Sequence, residues 1–485
     1  DNTGPSTPHP AMFRSCCRRR ARTPTCASAE KLVQPQNCET VRKRPAPRAP
    51  RLSGPRPRPE KPPSGFVSAP TPRQPLVAVG CCGARHRRPG TYMALLPDES
   101  MVLMTHHEAI TTVTFYAGEP PVARLQARVE AVIAANTWLA GRLESGSSAE
   151  TPLLLWQPRV PEVTACFEES SNDKLSPGSD MATVSAHLRT AVVTKGKDAV
   201  DLDEVLFKVT VIHTQPGEFA VVVSMSHVIG DADTYYQILG QLGEPVSAPV
   251  VALNPRRVQS FPAECAKLLG ENKATWLRGV GAHVGVGANF VLASFMRKAT
   301  AHAWYVDDKW VATQKKKIKM ESEGTAFVST NDVLTSWFFN TMKHGYGLML
   351  VNFRGRIPEL EASHAGNYVN VLQFWPEEFE SPAGIRQVLQ PPHPFKTERQ
   401  DVPTLSQDMG GNLGIVTSWV GMSKELKIPG CRAVVHLPVV DIALGIFDTM
   451  IIFAPSPGKI GVMIADRKGH DIAPDGKEAL GARII

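Results

Sequence analysis

His227 and Asp231 are the residues of this 485-residue chain whose types and spacing point most directly to chemistry. They stand four apart in His227-Val228-Ile229-Gly230-Asp231. An imidazole titrates near neutrality, so it can take a proton from an attacking hydroxyl or amine. A carboxylate four residues on can orient that ring, as in a catalytic triad. A core histidine bonded to a backbone carbonyl is the plain alternative, and one His-x-x-x-Asp spelling does not decide between them.

The neighbouring elements must place that histidine. Positions 205–213 and 219–226 are apolar runs rich in branched residues, separated by Gln215-Pro216-Gly217-Glu218, which predicts a hairpin of buried strands. The second run stops at Ser226-His227, Gly230-Asp231 breaks it, and Tyr235, Leu239 and Leu242 then take a helical spacing. The motif therefore opens a loop between a buried strand and a helix. Val122, Leu125, Val129, Val132 and Ile133 predict an amphipathic helix over 120–143, ending in Asn136-Thr137-Trp138-Leu139-Ala140-Gly141-Arg142-Leu143. A further helix is predicted over 262–279, and Ser329-Thr330-Asn331-Asp332 has the residues of a capped helix start. Short strands are expected at 113–115, 153–156, 163–167, 348–353, from Gly366 onward and at 459–465. Strands and helices mix without regular βαβ alternation, so the fold class is α+β, two layers, with open sheets covered by helices.

Composition divides the chain. Residues 1–90 hold 18 Lys+Arg against 4 Asp+Glu, a net of +14, which leaves −7 for the rest of a chain whose total is +7. This Pro- and Arg-rich segment has no sustained apolar period, so residues 1–91 are expected to be a disordered extension. Its charge allows a transit peptide or a nucleic-acid-binding arm. Proline opposes the amphipathic helix of the first, and no aromatic residues interleave the arginines as the second would favour. A solvated extension is the plain reading, and nucleic acid is not an expected partner. The apolar stretch 433–454 is interrupted by His436, Pro438, Asp441 and Asp448, so no membrane helix is expected. Cys166, Cys265 and Cys431 fit a reducing compartment, and neither they nor His106-His107 have the spacing of a metal site. The glycine-rich 279–287 lacks a Walker lysine and reads as a linker.

Taken in order, five stretches resemble the CoA-dependent acyltransferase superfamily, in particular the BAHD-like plant and fungal acyltransferases. They are Asn136–Leu143 as spelled above, His227 to Asp231, and Ser329-Thr330-Asn331-Asp332-Val333-Leu334-Thr335-Ser336-Trp337. Asn352-Phe353-Arg354-Gly355-Arg356-Ile357-Pro358 with Gly366-Asn367 follows, and then Thr417-Ser418-Trp419. Chloramphenicol acetyltransferase and peptide-synthetase condensation domains share the fold. Two spellings depart from the family: Ala232 follows the motif's Asp in place of Gly, and Asp441-Ile442-Ala443-Leu444-Gly445 replaces Asp-Phe-Gly-Trp-Gly.

The resemblance implies two chloramphenicol-acetyltransferase-like halves with mixed sheets, over 92–265 and 266–485, and a channel between them. It implies an acyl-CoA co-substrate with no bound cofactor, a small-molecule alcohol or amine acceptor, and a monomer in the cytoplasm, or in an organelle if the N-terminus is a transit peptide. His227 becomes the general base. Asp231 becomes the structural support of the His loop through an arginine, with Arg142 or Arg356 as partner. Thr417, Ser418 and Trp419 are assigned to the channel, and Asn352, Arg354, Arg356, Asn367 and Asp441 to structural motifs. A carrier-protein pantetheine donor and a silent binding scaffold are the competing expectations.

Overall fold

The computed structural model describes residues 88–485 apart from 107–108, 149–152, 280, 283, 286–298, 323–326, 391–393, 396–398, 400, 405–411, 441–446, 468–471 and 473. Nearly all of the expected extension over 1–91, His107, Asp441 with the rest of 441–445, and parts of the glycine-rich 279–287 therefore lie outside the described residues.

Among the described residues, three open sheets organise the chain. The first large sheet has five strands in the order Arg432–Val439, Ile110–Ala117, Glu218–Met225, Phe207–His213, Phe167–Ser171. All its pairings are antiparallel except the last. The second has seven, in the order Val369–Phe374, Tyr346–Asn352, Leu413–Ser418, Asp448–Phe453, Gly461–Asp466, Thr300–Val306, Leu480–Arg483. Leu413–Ser418 is parallel to both its neighbours there. A small third sheet joins Gly90–Ala94, Leu153–Pro158 and Arg142–Ser145.

The predicted hairpin forms as Phe207–His213 and Glu218–Met225, with Gly217 at φ 75° in its turn. Branched and aromatic side chains bury both faces of the second strand, from Phe219 through Met225, as a central strand requires. The helix Val122–Ala135 lays Leu125, Val129, Val132 and Ile133 on this sheet. It is shorter than expected because the Asn136 side chain binds the Val132 carbonyl at 3.1 Å and the Leu253 amide at 2.8 Å. Thr137–Ala140 is then a 3₁₀ turn and Arg142–Ser145 a strand.

Two other expectations change. The predicted strand at 163–167 is a 3₁₀ turn, Thr164–Cys166, with the strand starting at Phe167. The predicted helix over 262–279 breaks at Gly270, whose φ of 89° ends Phe261–Leu269 before Glu271–Thr275. Ser329 caps Thr330–Thr341 as predicted: its hydroxyl accepts from the Asp332 amide, and the Asp332 carboxylate accepts from the Ser329 amide at 2.7 Å.

The apolar stretch 433–454 supplies one strand to each large sheet. Arg432–Val439 pairs with Ile110–Ala117, although it lies in the sequence assigned to the C-terminal half, while Asp448–Phe453 pairs with Leu413–Ser418 and Gly461–Asp466. No described helix is long and apolar enough to cross a membrane. One core lines the five-stranded sheet and takes in Ala303, Ile451, Phe453 and Met463 from the seven-stranded sheet. The opposite face of that sheet packs Met450, Ile452, Val462 and Ile464 with Phe338 and Trp337 of the capped helix.

Candidate active site

The five-stranded sheet delivers His227 at the end of its central strand. The Ser226 amide still bonds to the Leu206 carbonyl at 2.8 Å, and the Ile229 amide then turns back to the Ser226 carbonyl at 3.2 Å. Asp231 caps the helix Ala232–Leu242, its Oδ1 accepting the Thr234 amide at 3.0 Å. Ala232 is the first residue of that helix, where a Cβ is tolerated and alanine is the better helix former. The departure from glycine is therefore structurally neutral, and it adds a methyl to the site wall.

Asp231 is bound by Arg354, and not by the expected Arg142 or Arg356. The Arg354 Nη1 donates to Asp231 Oδ2 at 2.7 Å, with the two side chains 3% and 1% exposed. The same guanidinium donates to the Thr234 hydroxyl and the Gly366 carbonyl, both at 2.9 Å, to the His364 carbonyl at 2.9 Å and to Asn352 Oδ1 at 3.1 Å. Oδ2 of Asp231 also accepts the Tyr368 amide at 2.9 Å. Burial alone pushes the Asp231 carboxyl up; the Arg354 charge and these donors outweigh it and hold the pKa below the usual carboxylate range. Arg142 instead meets Asp203 at 3.0 Å, and Arg356 stacks on Phe395. Sequence spacing carried no signal separating Arg354 from Arg356. Two positions along the chain decide which side chain turns inward.

Asn367 holds the imidazole. Its Oδ1 lies 3.1 Å from His227 Nδ1, while its Nδ2 donates to the His227 carbonyl at 2.7 Å. With the amide nitrogen spent on carbonyls, Oδ1 accepts the Nδ1 proton, and Nε2 keeps the lone pair that can take a proton. Burial lowers the His227 pKa, against the raising effects of a hydrogen bond to its own backbone and of Asp231, Asn367 and Glu99, so the neutral ring is favoured.

Glu99 and Arg257 stand behind Asn367 as a second buried pair, which sequence reading missed. Arg257 Nε donates to Glu99 Oε2 at 2.8 Å with both side chains fully buried. Nothing in the spelling Pro97-Asp98-Glu99 marks this role, since the partners lie 158 positions apart.

His227 and Asn367 open onto a cavity of about 520 Å³ between the two large sheets. Asp231, Asn352, Arg356, Thr417, Ser418 and Trp419 reach its wall as well, so most of the residues singled out in the sequence converge there. Arg354 lies behind the wall. The rest of the lining is mainly apolar: Leu348, Leu350, Leu413 and Ile415 from the seven-stranded sheet, with Met104, Trp276, Leu277, Met422 and Phe447. Asp98 and Arg278 form a charged pair on this wall, also unforeseen. Among the described residues no cluster of three or more His, Cys, Asp or Glu side chains could hold a metal ion.

No family model and no curated protein sequence matches the chain. Solved structures do. F. graminearum TRI101, complexed with coenzyme A and deoxynivalenol, superposes with a TM-score of 0.53 at 12% identity, over 78% of this chain and 96% of that one. Vinorine synthase superposes at 0.51 and 13% identity, over 82% of this chain and 93% of its own. The condensation domain of the Monacolin K polyketide synthase MokA gives 0.50 at 10% identity, over 79% and 93%. At such identities the likeness is one of fold. The chain has the fold of the CoA-dependent acyltransferases and condensation domains, with mixed, open sheets as expected.

Proposed function

We propose that the protein is an acyltransferase moving an acyl group from a CoA thioester to a hydroxyl or amine of a small acceptor, with His227 as general base. The observation that carries this reading is the His227–Asn367 contact at the wall of the cavity, which presents Nε2 as a proton acceptor. As the acceptor oxygen attacks the thioester carbonyl, Nε2 takes its proton. The tetrahedral oxyanion collapses, the C–S bond breaks, and the imidazolium returns the proton to the departing thiolate. A thiol is several pKa units more acidic than an alcohol, so the leaving group needs little help and no covalent intermediate is required. Asn367 Oδ1 stabilises the imidazolium through Nδ1–H. Thr417, Ser418 and Trp419 line the space in which the two substrates meet.

The composition of the wall supports an apolar body for the bound substrate. Leu348, Leu350, Leu413 and Ile415 offer it no polar partner, so a hydrocarbon acceptor or acyl chain gains by desolvation and a multiply charged one does not. Leu350→Ala is expected to raise KM for an apolar substrate about tenfold, with a smaller change in kcat. Steady-state kinetics over a homologous series of acyl chains and alcohols checks this.

The experiment that tests the activity is free-thiol release from a panel of acyl-CoAs in the presence and absence of mixed alcohols and amines. Release that depends on acceptor is the expected result. Release only from an acyl-pantetheine carried on a protein would replace the CoA donor, and none from either, by folded protein, would overturn the reading.

A further inference from the structure

We infer that the buried Glu99–Arg257 ion pair is a positioning device for His227, setting the orientation of the Asn367 amide that contacts the imidazole. The inference rests on His227 being the base. Glu99 Oε1 accepts from the Asn367 amide at 3.0 Å and from Asn367 Nδ2 at 3.3 Å, and Oε2 accepts from the Leu96 amide at 2.8 Å. An asparagine amide can turn over and present its NH₂ where its oxygen stood, at little steric cost. Turned over here, it would set its oxygen against the Glu99 carboxylate and the His227 carbonyl, acceptor against acceptor, and would offer His227 Nδ1 a donor. Glu99 is a pure acceptor when ionised, so it keeps Nδ2 on its own side and Oδ1 on the imidazole. That choice reaches the reacting atom, because Nδ1–H on the asparagine oxygen leaves Nε2 unprotonated.

Arg257 grips both segments that meet at this point. Its Nη2 donates to the Ile229 carbonyl of the His227 loop at 3.1 Å, and its Nη1 to the Ala365 carbonyl at 2.9 Å. Gly366 completes the arrangement. Its φ is 141°, a Cβ there would stand 3.0 Å from the guanidinium carbon of Arg257, and its carbonyl is held by Arg354 from the other pair. Fully buried ion pairs are seldom the most stable filling of a core, since desolvation offsets most of their attraction. A pair whose hydrogen bonds go to residues 229, 365 and 367 has a clearer use in fixing geometry.

The test compares full-length protein with Glu99→Gln, which keeps the size and removes the charge. The probes are acceptor-dependent thiol release and the ¹⁵N shifts of selectively labelled histidine. Expected are a fall in kcat of about 10–10²-fold with KM little changed, as for a base displaced by a fraction of an ångström. The His227 ring should pass from one tautomer to a mixture, and the ascending limb of the pH–rate profile should move to lower pH, because a charge that favours the imidazolium is gone. A folded Glu99→Gln with unchanged tautomer, kcat and pH profile overturns the inference. Arg257→Lys retains the buried charge and loses the fork to Ile229, so it reads the same device through kcat should the glutamine variant not fold; wild-type kcat there counts against it equally. Full activity in His227→Ala sinks the base assignment instead, whatever Glu99→Gln does.

Discussion

Replacing His227 with alanine is expected to lower acceptor-dependent thiol release by about 10²–10⁴-fold, the usual worth of a positioned general base. The loss should fall on kcat. The ring sits on the wall of the cavity, so its removal leaves most of the apolar lining, and with it KM, in place. The wild-type pH dependence provides an independent check. Only neutral imidazole accepts a proton, so the rate rises with pH as His227 loses its proton and then levels. Burial lowers this pKa, and the half-rise is therefore expected on the acid side of the ordinary histidine value of about 6.5. An alanine variant as fast as wild type would remove His227 from the mechanism. A half-rise well above neutrality would mean that some other group is the one titrating.

Arg354→Ala is expected to destabilise the folded unit by about 3–5 kcal/mol, the typical result of stripping one partner from a buried ion pair. Asp231 would be left as an uncompensated carboxylate that is 1% exposed, and Gly366, His364 and Thr234 would each lose a donor. Asp231→Asn should destabilise as well, because its single amide oxygen can accept from Thr234 on one side or from Tyr368 and Arg354 on the other, but not from all three, and Arg354 loses its counter-charge. Urea unfolding of the variants gives the comparison. Acid acts on the same pair. The folded pKa of Asp231 lies below its unfolded value near 3.9, so the pair's contribution is complete above that value and is lost as pH falls through the lower folded one. A stability of Arg354→Ala within about 1 kcal/mol of wild type would show that the loop needs no such clamp; surface substitutions lie in that range.

Much of this was legible along the chain because the relevant signals are local. The hairpin at 207–225 follows from two branched, apolar runs and a Pro-Gly turn, and the helix at 330–341 from a Ser–Asp capping box. His227 stands where an apolar strand ends and a glycine follows, which is why its spelling alone could place it in a loop. The helix ending at Ala135 was overestimated because Asn136 is stopped by Leu253, a contact 117 residues away.

The sequence by itself determined the class of fold and the strand and loop that carry His227. The strand and the loop follow from periodicity and turn chemistry, which act over a few residues, whereas the residues around the cavity were implied by the resemblance of five stretches to the acyltransferases. Only the tertiary structure decided that Arg354, and neither Arg142 nor Arg356, neutralises Asp231, that Arg432–Val439 joins the edge of the five-stranded sheet, and that Glu99 and Arg257 back the asparagine facing the base. Each of these choices joins residues more than a hundred positions apart. They depend on which side chain is buried without another partner once both sheets have packed, and no local pattern encodes that.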